Sequence, residues 1–157
     1  MSVAGNSAEF SPCRLYRYRL TREFAIGPRR VAFCMLNPST ADATNDDPTI
    51  RRCIGFARAW GFDRLTIVNA YAFRATDPKE MKRAIDPIGP DNDAAIAYAV
   101  AESEFVVAAW GAHASRDRAA AVRRLLGAKA RFLRLTAGGA PGHPLYLPGD
   151  LAPQPWP

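Results

Sequence analysis

The sequence predicts an α/β fold: a three-layer sandwich around a central four-stranded parallel sheet, with one more strand at its amino-terminal edge. Three observations predict it. Val31-Ala32-Phe33-Cys34-Met35-Leu36 is an unbroken apolar run that stops at Asn37-Pro38-Ser39-Thr40, and a short solid run bounded by turn residues is a strand buried on both faces, as in a parallel sheet. Further strands at Leu65–Ala70, Phe105–Trp110 and Arg131–Thr136 alternate with helix-period segments. Strand, helix and strand at this spacing form right-handed βαβ units, whose strands run parallel.

Taken in order, Met1 to Pro12 is small and polar and is expected to be a loose arm. From Arg14 to Leu20 the pattern alternates, Tyr16, Tyr18 and Leu20 on one side and Arg17 and Arg19 on the other, which predicts a half-buried edge strand. Gly27-Pro28 turns the chain into the central strand at 30–36. That strand is expected to end at Asn37, because Pro38 has no N–H for a ladder.

Asp47-Pro48 starts a helix to about Trp60, with Asp47 as N-cap and Pro48 at the first helical position. Ile50, Cys53, Ile54 and Ala57 give it one apolar face and Gly61 ends it. Asp77-Pro78-Lys79-Glu80 repeats the device and opens a short helix that Asp86-Pro87 breaks. A third helix runs from Asp91 or Asn92 to about Ala101, and a fourth from Ser115 to Leu126. From 148 the chain is a proline-rich, extended tail. At 157 residues without an internal repeat it reads as a single domain over 1–157.

Composition narrows the function. Hydrophobic residues at 48% and charged residues at 23% are those of a soluble globule. No apolar run approaches the roughly 18 residues of a membrane span, and the start of the chain lacks a signal pattern. The expected compartment is the cytosol, with no membrane partner. Cys13, Cys34 and Cys53 form no ligand pair, and Cys34 and Cys53 sit at core positions. The two histidines stand 30 positions apart, without metal-ligand spacing. There is no phosphate-cradling glycine loop and no Gly-x-Ser-x-Gly elbow. No cofactor is implied.

The net charge of +6 is unevenly spread. Six arginines against Glu23 alone lie between Arg14 and Arg30. Arg116, Arg118, Arg123, Arg124, Lys129, Arg131 and Arg134 face Asp117 alone, while Ala84 to Ser115 carries acids only. If the two arginine runs share a face, they fit a nucleic-acid partner. An arginine-rich solvated surface without a partner fits the same count.

In a parallel sheet the strand ends meet at one edge, where open α/β sheets bind ligands. Asn37, Pro38, Ser39 and Asp42 follow the first strand. Asn69, Phe73 and Arg74 follow the second, Trp110 and Gly111 the third, and His143 and Leu147 come after the fourth. Asn37 and Asn69 also suit strand-end turns, and Asp47 and Asp77 suit helix caps worth about 1 kcal/mol each.

Two resemblances rest on these residues. Leu36-Asn37-Pro38-Ser39-Thr40-Ala41-Asp42, Asn45-Asp46-Asp47-Pro48-Thr49, Asn69 with Phe73-Arg74-Ala75-Thr76-Asp77-Pro78, Trp110-Gly111 and His143-Pro144-Leu145-Tyr146-Leu147 resemble the bacterial and phage family catalogued as domain of unknown function 1643. That resemblance covers nearly the whole chain and implies no function. More distantly, Asn37-Pro38, Asn69-Ala70, Trp110-Gly111-Ala112-His113-Ala114 and His143-Pro144-Leu145-Tyr146-Leu147 are similar to the strand-end motifs of the uracil-DNA glycosylase superfamily.

The second resemblance implies a glycosylase-like sandwich with Asn37 and His143 as catalytic residues. Asn37 would orient a water, Asn69 would read a nucleobase edge, His143 would donate to the departing base, and Leu147 would hold the wedge position. Breaking an N-glycosidic bond leaves negative charge on the base, and one preorganised donor there is worth about 10²–10³ in rate. The sequence departs from that pattern in Ser39, where an aromatic would exclude thymine. It also lacks a clear base-stacking phenylalanine, and Asp42, Asp46 and Asp47 are additions. The expected function is a nucleobase-binding protein, an N-glycosylase or related hydrolase, with nucleic acid or a nucleotide as partner. The alternatives are a non-catalytic binding module and a metal-assisted nucleotide hydrolase using Asp42, Asp46 and Asp47.

Overall fold

A computed structural model of the chain describes residues 5–156. Seven strands form one sheet: β1 (Ser7–Phe10), β2 (Arg17–Glu23), β3 (Arg30–Met35), β4 (Arg64–Asn69), β5 (Val106–Ala108), β6 (Ala130–Phe132) and β7 (Gln154–Pro155), in the order β1-β2-β4-β3-β5-β6-β7. The four inner strands β4, β3, β5 and β6 are parallel, as expected. β1, β2 and β7 are antiparallel additions at the two ends.

Alternation along the parallel strands makes two cores. Ala32, Cys34, Val68, Val106 and Ala108 face one side, against α3 (Asn92–Glu102), α4 (Arg116–Leu126) and Met81 of the short α2 (Pro78–Arg83). Val31, Phe33, Met35, Leu65, Ile67 and Val107 face the other, against Ile50, Cys53, Phe56 and Ala57 of α1 (Pro48–Ala59). Side chains of the sheet are thus buried on both faces, which is why the strands read as solid apolar runs. Cys34 and Cys53 are fully buried, and burial raises both thiols, Cys34 to about 12, as befits small core side chains.

The caps are those the sequence specifies. Asp47 accepts from the Ile50 N–H at 2.9 Å with Pro48 at the first helical position, Asp77 accepts from the Lys79 N–H, and Ser115 accepts from the Arg118 N–H. No helix among the described residues is long and apolar enough to cross a membrane.

Three expectations need correction. The amino-terminal arm is in part a strand: β1 pairs with β2, so the strand of Tyr18 and Leu20 is covered and not an edge; Met1–Ala4 lie outside the described residues. The proline-rich tail is extended, as expected, and in part a strand. β7 pairs with β6, and Trp156 packs on Trp110 and Phe132. The central strand ends at Met35, although Leu36 and Pro38 continue to accept backbone bonds from Tyr71 and Ala75.

Alternation places Arg17 with Arg19 on the solvated side, yet Arg17 is buried, at 2% exposure. The pairs Leu20–Ala8 and Arg19–Glu9 are followed by Arg17–Phe10, so Tyr18 has no partner on β1. This one-residue bulge reverses the alternation and turns Arg17 onto the face of Leu20 and α1.

Candidate active site

In the order β4-β3-β5-β6, the chain leaves β3 toward β4 on one side and leaves the adjacent β5 toward β6 on the other. A crevice opens at the carboxyl ends of strands at such a switch point. Here it is a cleft of about 790 Å³ lined from the strand ends by Met35, Leu36, Asn37, Ser39, Ile67, Asn69, Trp110 and Gly111. The amino-terminal turn of α1 (Asp47, Pro48, Thr49, Ile50), Arg17, Thr136 and the loop of His143 complete the wall. The volume is that of a small-molecule site.

Asn69 is the last residue of β4 and lies opposite Met35 of β3. It is 1% exposed, and neither Oδ1 nor Nδ2 has a hydrogen-bond partner. Its backbone carbonyl, by contrast, is held by the Asn92 side chain at 2.9 Å. A buried amide left open at both ends costs about 1–3 kcal/mol, and such groups are rare outside functional sites.

Asn37 is held in the opposite way. Its Nδ2 donates to the Ala75 carbonyl at 2.7 Å and to the Pro38 carbonyl at 3.1 Å. Its Oδ1 has no partner among the described residues, so Asn37 offers the cleft an acceptor. This is the end of the amide that can accept a hydrogen bond from a water.

His143 opens a 3-10 turn, Pro144–Tyr146, and its Nδ1 accepts the Leu145 N–H at 3.2 Å. With Nδ1 as acceptor, the neutral ring carries its proton on Nε2. Burial depresses the imidazole pKa below its ordinary 6.5, against a smaller opposing pull from Asp47. The ring is therefore a neutral donor at pH 7. The Gly111 N–H donates to the Pro141 carbonyl at 2.7 Å, tying the end of β5 to this loop, and Gly111 itself takes the left-handed φ of 72°.

Of the expected site residues, Asn37, Ser39, Asn69, Trp110, Gly111, His143 and Leu147 line the cleft. Trp110 is 2% exposed and packs on Trp156, so only its edge serves the wall. Leu147 is half-buried against the α1-side core, and Tyr146, 82% exposed, is the side chain of that loop that projects.

Pro38, Asp42, Phe73 and Arg74 fall outside it, for separate reasons. Pro38 is buried, with its carbonyl taken by Ala75 and Asn37. The Asp42 carboxylate is folded back on the Thr44 and Asn45 N–H groups, which hold its pKa below the usual value. Phe73 packs edge-on against Tyr16, and Arg74 bonds the Arg14 carbonyl beneath the Phe10 ring. Asp46 pairs with Arg22 at 2.8 Å and Asp47 caps α1, so the three aspartates form no shared ligand set; no group of three such ligands occurs among the described residues.

Arg17 and the α1 turn were missed by sequence reading. Arg17 donates from Nη1 to the Ala41 carbonyl at 2.8 Å, and its Nε has no partner. Asp47, expected as a cap or as one of three clustered aspartates, is both cap and wall. A repeat of the cap-and-proline pair after two different strands was the available signal, but only the first pair lies at the cleft with its carboxylate.

The fold and the cleft define an α/β sandwich with a mostly apolar switch-point pocket that carries a few polar groups. Over residues 17–145 the chain matches the model of a family described as protein of unknown function (DUF1643), and it belongs to that family. No curated protein and no solved structure matches it.

Proposed function

We propose that this protein is a nucleobase-binding protein of uracil-DNA glycosylase-like architecture that acts as an N-glycosylase or related nucleobase-releasing hydrolase. The observation that carries the reading is Asn69: a buried amide with a free donor and a free acceptor at the floor of a mostly apolar cleft. A nucleobase edge presents the complementary acceptor and donor, and its planar apolar faces suit the rest of the wall.

The other two polar groups fit the same chemistry. In hydrolysis the C1′–N bond breaks, water adds to C1′, and the base leaves with the electron pair. Asn37 Oδ1 is a weak base, sufficient to orient a water in a reaction driven by bond breaking. The Nε2–H of a neutral His143 stabilises the anionic base as charge develops on it. The departing base finally takes the proton released by the water.

The test is release of free base from uracil-, hypoxanthine- or modified-pyrimidine-containing oligonucleotides and from free nucleotides, with and without magnesium. His143→Ala is expected to cut turnover by about 10²–10³ with little change in substrate affinity. A His143→Ala protein as fast as wild type would end this mechanism. Tight binding without product on any substrate would leave a recognition pocket.

A further inference from the structure

The cleft holds one buried cation that the mechanism above does not use. Arg17 is 2% exposed, it makes no ion pair within 4.0 Å among the described residues, and its Nε is unpartnered. Burial lowers its pKa to about 10, against the pull of Asp47. Buried guanidinium groups are ordinarily matched by a carboxylate or phosphate in fork geometry. The neighbouring Arg22 shows the contrast: it is equally buried and bonds Asp46 at 2.8 Å.

A second feature lies beside it. The amino-terminal turn of the 12-residue α1 forms the same wall. Asp47 takes the Ile50 N–H, Pro48 has none, and the Thr49 N–H has no acceptor among the described residues. A helix start with an open N–H and a nearby unpaired guanidinium attracts an anion. Asp47 offsets part of this field, so the two features accommodate one anionic group and not a chain of them.

We infer that the ligand is a free nucleoside phosphate, its base read by Asn69 and its phosphoryl group received by Arg17 and the Thr49 turn. This rests on the nucleobase reading of Asn69. A nucleic-acid strand fits less well. β2 and β6, which carry or adjoin the two arginine runs, are separated by β4, β3 and β5. In the first run Arg19, Arg22, Arg29 and Arg30 pair with Glu9, Asp46, Glu104 and Glu102, so the two runs do not join into one continuous basic track for a strand.

Calorimetric titration of the wild-type chain with uridine, inosine, their 5′-monophosphates and a uracil-containing single strand tests this. The monophosphates are expected to bind roughly 10- to 100-fold tighter than the nucleosides. Their affinity should fall only shallowly with salt, as for a single phosphate contact. Arg17→Gln should erase the phosphate advantage and leave nucleoside affinity in place, while Asn69→Ala should weaken nucleoside and monophosphate alike. The wild-type comparison needs no variant, so a poorly folded Arg17→Gln does not rescue the inference.

Equal binding of nucleoside and monophosphate overturns the phosphate site and leaves the nucleobase reading standing. Inorganic phosphate stabilising the protein through Arg17, with no nucleoside bound, does the reverse. Strand binding tighter than the monophosphate, with a steep salt slope, overturns the free-nucleotide assignment in favour of nucleic acid. No binding of any probe overturns both readings.

Discussion

The Leu145 backbone N–H donates to Nδ1 of His143 at 3.2 Å, and this contact fixes which nitrogen of the ring carries the proton. Protonation at Nδ1 would remove the acceptor and set two N–H groups against each other. The folded pKa lies below 6.5, so the fold favours the neutral ring. The unfolded chain then binds the proton more readily, and stability falls as pH drops from the unfolded value through the folded one. Two-dimensional NMR of the imidazole nitrogens should show the Nε2–H tautomer at pH 7 and a midpoint below 6.5. A midpoint above 6.5 would contradict the burial argument.

Replacing Asn69 should separate stability from binding. Asn69→Leu replaces two unpaired buried polar atoms with methyl groups on the same branched skeleton, and the open cleft beside it takes up the added bulk, so the variant is expected to be as stable as wild type or more stable by about 1 kcal/mol. Ligand binding should be lost. Chemical denaturation with an unchanged m-value, run beside the calorimetry, checks this. A loss of several kcal/mol would mean that the amide is structurally satisfied.

Asp47 carries two tasks that mutation can divide. Asp47→Ala removes the α1 cap and should cost about 1 kcal/mol, most of which Asp47→Ser should restore. Neither variant keeps the carboxylate that draws the His143 pKa upward, so in both the imidazole should titrate lower still. An unmoved His143 titration in both variants would show that Asp47 does not act on the ring.

The His143 loop depends on a close approach at Gly142. A Cβ there would stand 2.9 Å from the Arg134 carbonyl oxygen, which is backbone and cannot swing aside. The same carbonyl accepts the Gly142 N–H at 2.8 Å. Gly142→Ala should therefore displace the loop, costing about 1–3 kcal/mol and disturbing the His143 ring resonances. Gly138→Ala, whose Cβ would meet only Thr136 Oγ1 at an ordinary 4.0 Å, is the control and should leave both unchanged.

The sequence by itself determined the four parallel strands, the helix between each pair, their caps and the edge at which Asn37, Asn69, Gly111 and His143 meet. Those features follow from solid apolar runs and from Asp-Pro and Ser caps, which act within a few residues. Tertiary structure alone decided the rest. The amino-terminal and carboxyl-terminal strands pair with β2 and β6 across distant sequence, and short polar segments carry no period that announces such pairing. Phe73 and Arg74 left the site because Tyr16, Phe10 and Arg14 claimed them. Arg17 entered it because of the bulge at Tyr18: one extra residue inverts every side chain before it, and a register shift between two strands is invisible in either strand read alone.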